Sequence, residues 1–402
     1  MEKRILILTN HFYPEYFKIN DVVDWIAEEK NHVVVITGNP NYPKGKIFNG
    51  YPIWGSKEKK SYKEIIYRLP LIPRGNGKKW RLALNYGSYF FSLTLFTCWL
   101  TITHKKYDVV FVHHTSPPFL FFPAYLYKKL KKGKVFLWDL DMWPQTLEAL
   151  ELLKSPRWIK KLESLFRWFY QKFDKILIGS LYFKEMALKR VSAEKIIYFP
   201  NWAEPLYESL LLKERYPKKK QKIVITYTGN IGTAQGFDSL LDAIEKSRSK
   251  NIEFRFIGSG RHKHTLQMLA KEKELSDYII FYDPVSPKEL INYFNQTDYL
   301  YLSLKNSDLF SKTVPAKLQT YLAVGKPIIA SISGEAKELL EKHQTGFQAA
   351  AENTNQLSII FDQLEHISRK EYDQFSSNCR NLYQKRFTST KRRQQLLDIL
   401  KE

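Results

Sequence analysis

Thr313-Val-Pro315-Ala-Lys317-Leu-Gln319-Thr320-Tyr321-Leu-Ala-Val-Gly325-Lys-Pro327-Ile-Ile-Ala330 reads as a helix with both ends marked, followed by a strand. Pro315 suits the first helical turn, where its missing N–H is not needed. Gly325 suits the C-cap, and Pro327 stops any continuation. Leu318, Tyr321 and Leu322 share one face at i, i+3 and i+4. Ile328-Ile329-Ala330 is a short apolar run of the kind buried in a sheet. Lys317 is the oddity, because a cation in the first turn opposes the helix dipole. It is either a solvated side chain or the partner of an anion held at the helix N-terminus.

Outward from this stretch the chain alternates strands and helices. Toward the amino terminus of the same half come strands at Ile223–Thr228, Ile252–Ile257, Ile279–Tyr282 and Tyr299–Leu302, with helices at Asp238–Ser247 and His264–Glu274. The first half does the same, with strands at Ile5–Leu8, Val33–Ile36, Ile65–Leu69, Val109–Val112, Val135–Trp138, Ile176–Ile178 and Ile196–Phe199. Asn20 or Asp21 is placed to cap the first helix. Apolar runs without alternation belong to parallel strands covered on both faces, so two doubly wound α/β domains are expected. A chain of 402 residues suits two domains. The polar, basic stretch 204–222, ending Lys218-Lys-Lys-Gln-Lys222, reads as the linker. The domains are then 1–203 and 223–387, and the last helix (within 388–402) is expected to pack back on the first. No repeat of 20–50 residues appears.

Charge is the loudest global property. Lys and Arg number 63 against 41 Asp and Glu, a net charge of +22, which points to an anionic partner. Aromatic residues make up 15% of the chain, and basic plus aromatic suits a membrane interface or a nucleic acid. No nucleic-acid-binding motif is found. The two cysteines, Cys98 and Cys379, form no metal or redox motif and fit a reducing compartment. The apolar run at the start, Ile5-Leu-Ile-Leu8, is too short for a signal peptide. Asn85–Thr103 contains no charged residue, but its six Ser and Thr favour a largely buried helix whose outer face meets lipid. Ser155–Phe173 mixes Trp, Phe and Leu with Arg and Lys, as in a helix lying on a membrane or one docked with its basic face solvated.

Several loops at strand ends hold chemistry-bearing residues. Tyr227-Thr-Gly229-Asn230-Ile-Gly232-Thr-Ala-Gln235-Gly236 joins a strand to a helix, and its glycines let backbone approach a ligand. It does not have G-x-G-x-x-G spacing, which speaks against a dinucleotide; a bare turn is its other reading. In the first half, Asn10, His11, Tyr13, Glu15, Lys18 and Asn20 follow the first strand. Asp139-Leu-Asp141-Met-Trp143-Pro144 ends another strand; Asp141 suits a carboxylate that orients or deprotonates a hydroxyl, with Asp139 as the alternative. Either could instead cap the helix that follows. Adjacent His113 and His114 splay apart on a strand, which argues against metal ligation.

Taken together, the loop Asn10–Asn20, Asn39-Pro-Asn-Tyr-Pro43, Asp141-Met-Trp-Pro144, Pro200-Asn-Trp-Ala-Glu204, the Gly229 loop and Thr313–Ala330 resemble the GT-B glycosyltransferases of family 4. The likeness covers nearly the whole chain and is greatest to the WbuB-like branch, which builds bacterial surface polysaccharides. It implies a GT-B fold, two Rossmann-like domains facing a cleft. It implies a retaining transferase that moves an N-acetylated amino sugar, such as N-acetylfucosamine, from UDP to a polyprenyl-diphosphate-linked glycan. No metal or other cofactor is expected, nor a nucleic-acid partner. The expected setting is cytoplasmic, peripheral on the inner face of the plasma membrane.

By that resemblance Ile257-Gly258-Ser259-Gly260 is a turn beside the nucleotide, and Tyr282-Asp-Pro284-Val285 offers its backbone to the base. The chain departs from the family where charge matters. The Arg and Lys that meet the diphosphate are here Asn230 and Gln235, and the family's E-x7-E positions are Lys312 and Thr320. Lys317 is therefore expected to neutralise the diphosphate, with Lys312 second. Gln319 and Thr320 are placed to bond hydroxyls. Glu335 either restores a carboxylate near the nucleotide or caps the helix it opens. Two other functions stand beside this one. A UDP-sugar 2-epimerase of the same fold would need paired carboxylates and no membrane face. A basic nucleic-acid or scaffold protein would explain +22 but not the linked motifs.

Overall fold

The computed structural model describes residues 2–60, 64–149, 152–210, 222–249 and 251–402. The chain forms two compact units, Met1–Phe199 with Arg393–Glu402, and Pro200–Arg392.

In the first unit the strands are β1 (Arg4–Thr9), β2 (His32–Gly38), β3 (Ser56–Lys59), β4 (Glu64–Leu69), β5 (Val109–His114), β6 (Lys134–Asp139), β7 (Lys175–Ile178) and β8 (Ile196–Tyr198). They lie in the order β3-β4-β2-β1-β5-β6-β7-β8. Ile5, Leu6, Ile7 and Leu8 are wholly buried because helices cover both faces of the sheet. β3 is the strand that sequence patterning passes over. Its Ser-Lys-Glu-Lys has no apolar face, and it pairs antiparallel at the sheet edge, where charge guards against further pairing. The order reverses between β1 and β5, so the loops after these two strands flank a crevice of the kind that takes ligands.

Other expectations shift in detail. The first helix, Ile19–Glu28, starts at Lys18 with no side-chain cap, so neither Asn20 nor Asp21 caps it. The uncharged stretch lies in helix Lys79–Thr103, but it is not largely buried. Its buried stripe is only Asn85, Tyr89, Leu93, Thr97, Leu100 and Thr101. Phe91, Leu95 and Ile102 on the other side are 67%, 71% and 82% exposed, which makes that side an apolar surface. No described helix is long and apolar enough to cross a membrane.

The second unit has β9 (Ile223–Thr228), β10 (Ile252–Ile257), β11 (Ile279–Tyr282), β12 (Tyr299–Ser303), β13 (Ile328–Ser331) and β14 (Gly346–Ala349). Their order is β11-β10-β9-β12-β13-β14, parallel throughout. This is the 3-2-1-4-5-6 arrangement, with its reversal between β9 and β12. β14 is too short and mixed, Gly-Phe-Gln-Ala, to show as a strand in sequence. Of the expected linker, 211–221 lies outside the described residues. Its earlier part is not a linker: Pro205–Glu208 is helical and Tyr207 is buried with Ala203 and Phe294 in the second unit's core. The terminal helix, Ser389–Lys401, ends in the first unit. There Arg393 pairs with Glu28 and Glu29, and the Gln395 amide donates to the Tyr198 carbonyl at 2.8 Å.

The Thr313–Ala330 stretch folds as helix Lys317–Val324, Gly325 at φ +74°, and β13. The helix begins two residues after Pro315, which instead accepts the Leu318 N–H in the entering turn. Leu318, Tyr321 and Leu322 are all fully buried. At roughly 1.5–3 kcal/mol for each large side chain buried, this face anchors the helix on the sheet.

Candidate nucleotide and acceptor sites

In the second unit the predicted residues gather at the carboxyl ends of β9, β10, β12 and β13. The β9 loop starts at Gly229 and closes on itself. The Gln235 side chain accepts the Gly232 N–H at 2.9 Å, and the Tyr227 hydroxyl donates to the Asn230 carbonyl at 2.6 Å. Gln235 therefore shapes the loop with its side-chain oxygen. The Asn230 side chain is exposed. The β10 turn zips onto this loop: Gly229 donates to the Ile257 carbonyl and Ile231 to that of Ser259. Gly258 sits at φ +154°, where a Cβ would collide with the Gly229 carbonyl. Its absent side chain is thus what lets the two turns touch.

Lys317 reaches under this loop from the neighbouring helix. Its ammonium lies 4.8 Å from the centre of the Tyr227 ring, and a Cβ on Gly229 would stand 2.8 Å from its Cε. No carboxylate pairs with it among the described residues. Burial lowers its pKa from the usual 10.5 to about 8. Tyr321, one turn along, accepts the Thr228 N–H through its hydroxyl at 3.0 Å and locks the helix to the end of β9. A cation without a counter-ion, beneath exposed loop backbone at the point where strand order reverses, is equipped to receive an anion.

The other predicted residues divide. Lys312 is bound to Asp308 at 3.0 Å within its own short turn, so part of its charge is met there. Gln319 is buried; oriented to satisfy its amide, it donates to the Ala316 and Pro315 carbonyls at 3.0 and 3.3 Å, and it cannot bond a ligand hydroxyl. The Thr320 hydroxyl donates at 2.9 Å to Glu204, a contact that sequence spacing could not show. Glu335 is buried at the first position of helix Glu335–Lys342, with Gly334 as the cap residue. Gly334 packs against the Ser311 carbonyl, which brings that helix start beside Lys312. Val285 lies three residues past β11, at the sheet edge.

In the first unit the β1 loop is heavily hydrogen-bonded. Asn20 accepts the Tyr13 N–H at 3.1 Å and donates to the Glu15 carbonyl at 2.8 Å, so its side chain holds the loop closed. The Tyr13 ring is exposed, and Lys18 sits at the start of the helix that follows. His11 and Glu15 are buried together at 2.6 Å, and Glu15 also accepts the N–H groups of Asn41 and Tyr42. Arg74 meets the His11 Nε2 at 3.1 Å and the Tyr86 hydroxyl at 2.9 Å. The sequence offered no signal for Arg74, because it comes from a loop 63 residues away.

Asp141 accepts the Ser116 N–H at 3.0 Å, and Asn10 donates to the Thr115 carbonyl at 3.0 Å. Asp141 thus joins the crevice between the β1 and β5 loops. Asp139 does not: it is fully buried, bonded to His114 at 2.6 Å and to the Tyr170 hydroxyl. It belongs to the core, which leaves Asp141 as the carboxylate near the crevice. His113 turns the other way, to Thr9 at 2.9 Å, and burial drives its pKa down to about 3, so it stays neutral. Among the described residues no group of three or more His, Cys, Asp or Glu is placed to hold a metal.

Residues 210–382 match the family described as glycosyl transferases group 1. The chain is 25% identical over 343 residues to WcaI of Escherichia coli (strain K12), named as a colanic acid biosynthesis glycosyl transferase, covering 80% of this chain and 81% of that one. Sucrose-phosphate synthase from Thermosynechococcus elongatus superposes with a TM-score of 0.74 at 13% identity, over 100% of this chain and 98% of that one. HepE of Anabaena, in complex with UDP and glucose, does so at 0.70 and 12%, over 100% of both chains. The fold is therefore that of the GT-B glycosyltransferases. The matched domain, which contains the Gly229 loop and Lys317, supports a glycosyltransferase.

Proposed function

We propose that this protein is a bacterial polysaccharide glycosyltransferase of the WbuB-like branch of family 4. It transfers an N-acetylated amino sugar from UDP to a polyprenyl-diphosphate-linked glycan with retention of anomeric configuration. The observation that carries this reading is Lys317, a nearly buried ammonium under the Gly229 loop that meets no carboxylate among the described residues. When the bond between the anomeric carbon and UDP breaks, negative charge grows on the diphosphate. Lys317 stabilises that charge without a metal. Asp141 orients or deprotonates the acceptor hydroxyl. UDP-bound HepE and the polysaccharide-related name of WcaI support the donor and the pathway class.

A lipid-linked acceptor would require a membrane face, and the first unit has a surface suited to one. Helices Lys79–Thr103, Phe121–Lys131 and Pro156–Lys172 join through Phe90–Phe122 at 6.0 Å and Tyr125–Trp168 at 4.7 Å. They expose Phe91, Leu95, Ile102, Phe122, Trp158 and Trp168. Lys161 and Lys172 lie over Trp158 and Trp168, as cations and aromatics do at an anionic bilayer surface.

Calorimetric titration of UDP in EDTA, with GDP and ADP as controls, tests the reading. UDP is expected to bind selectively, and Lys317→Ala to weaken it at least about ten-fold, the scale of a lost charge-assisted contact. Asp141→Asn is expected to keep UDP binding and lose transfer. No binding of UDP by the native protein would overturn the proposal.

A further inference from the structure

Helix Pro156–Lys172 has exposed sides of different chemistry. One carries Trp158, Leu165 and Trp168. On another, Arg167 and Gln171 stand a turn apart and wall a cavity of about 450 Å³. Lys189, Arg190, Ser192 and Lys195 line it from the segment that leads into β8, so four cations and no carboxylate line it. Arg190 is fixed in place and only 3% exposed. Its Nε and Nη2 donate to Glu163 at 2.8 and 2.7 Å, and Nη2 also to the Trp143 carbonyl at 2.6 Å and to Gln145 at 2.9 Å. Its guanidinium lies 4.6 Å from the centre of the Tyr170 ring. The buried Nη1 meets no partner among the described residues. A buried donor without an acceptor is costly, and a ligand oxygen removes that cost. Lys195 is held at the helix end, donating to the Gln171 and Phe173 carbonyls at 3.1 and 3.0 Å. Arg167 and Lys189 are exposed and meet no carboxylate at ion-pair distance among the described residues. The carboxylates bonded to the lining are Glu163, on Arg190, and Glu194, on Ser192. Four cations against these two leave two positive charges in excess.

We infer that this cavity is an anion site for a phosphate monoester or diester, separate from the Gly229 loop and located in the first unit. It stands independently of the nucleotide-sugar reading. Guanidinium groups meet phosphate oxygens through paired N–H bonds, and ammonium groups add point charges. A carboxylate has two oxygens, too few to serve cations on both walls at once, whereas a phosphate ester has three or four. The excess of two positive charges matches the one to two negative charges of such a group. Exposed Leu188 at the cavity, with Trp158, Leu165 and Trp168 on the same helix, suits the headgroup of an anionic lipid. A soluble phosphate ester offers the same oxygens. Arg190 also holds the Trp143 carbonyl, so one side chain joins the cavity to the segment that carries Asp141.

The test uses the full chain in four forms: native, Arg167→Gln with Lys189→Gln, Lys317→Ala, and Lys105→Gln with Lys106→Gln as a charge-matched control. All four lysines and arginines in the two double variants are exposed, so the fold is kept. One arm titrates inorganic phosphate calorimetrically. The other measures co-sedimentation with phosphatidylcholine vesicles, with and without phosphatidic acid. Phosphate binding that survives in Lys317→Ala and in the control, but weakens at least about ten-fold in Arg167→Gln with Lys189→Gln, supports the site and a soluble source. Where free phosphate shows no such loss, a fall in binding to phosphatidic-acid vesicles at least about ten-fold greater than in the control supports the site and assigns the headgroup. Equal behaviour of the two double variants in both arms overturns the inference, because diffuse surface charge predicts that result. Phosphate binding removed by Lys317→Ala alone, with equal vesicle binding by the double variants, overturns it too. Neither failure touches the nucleotide reading, which stands or falls on UDP.

Discussion

Lys317 shows how a single side chain can be costly to the fold and useful to the site. Its folded pKa of about 8 lies below the 10.5 of the unfolded chain. The unfolded state therefore takes up the proton more readily, and stability falls as pH drops from 10.5 toward 8. Below about 8 the penalty is complete. Lys317→Met should accordingly raise the melting temperature at pH 7, with a gain that shrinks between pH 8 and 10. The native protein should do the reverse for ligand: UDP affinity, measured calorimetrically, should decline once pH rises past about 8, because the neutral amine no longer attracts the diphosphate. Asp139 and Asp141 teach the complementary lesson. They stand two positions apart in sequence, and one is locked by His114 and Tyr170 while the other reaches Ser116.

At the scale of elements, the second unit's site depends on two turns that touch. The β9 and β10 loops are tied by the bonds of Gly229 to Ile257 and Ile231 to Ser259. Gly258 permits this only because it has no Cβ and can hold φ +154°. Gly258→Ala is expected to cost about 2–4 kcal/mol through strain and overpacking. At about 2–4 °C per kcal/mol for a unit of this size, the thermal transition should fall by about 5–15 °C. UDP affinity should fall with it. An unchanged melting curve would mean that the turns can part without loss.

For the whole molecule, the net charge of +22 acquires a location. Part of it borders the exposed aromatic and aliphatic surface on helices Lys79–Thr103, Phe121–Lys131 and Pro156–Lys172. Replacing Phe91, Leu95 and Ile102 together by Ser should leave the melting temperature within a few degrees, because these side chains bury little. Co-sedimentation with vesicles of anionic lipid should fall several-fold, while neutral vesicles should bind weakly in either case. Equal vesicle binding by native and triply substituted protein would assign the membrane role elsewhere or to no surface at all.

The alternation of strands and helices was legible in the chain, because apolar runs and capping residues act locally. Gly325 ends its helix, Leu318, Tyr321 and Leu322 face the core, and Ile5–Leu8 forms a central strand, all as their pattern requires. The Gly229 loop and Lys317 were legible too, because a glycine-rich turn after a strand and a misplaced cation are visible one segment at a time. Which polar groups remain available depends on how distant segments pack together. Lys312, Gln319, Gln235 and Asn20 looked equally open in sequence, yet each is taken by a neighbour or its own loop. Arg74 and Glu204 arrive at their places from distant segments, the latter meeting Thr320 across 116 residues of chain. Hydrogen bonds of that kind depend on how strands are ordered in the sheet, and strand order is a property of the folded chain rather than of any stretch within it.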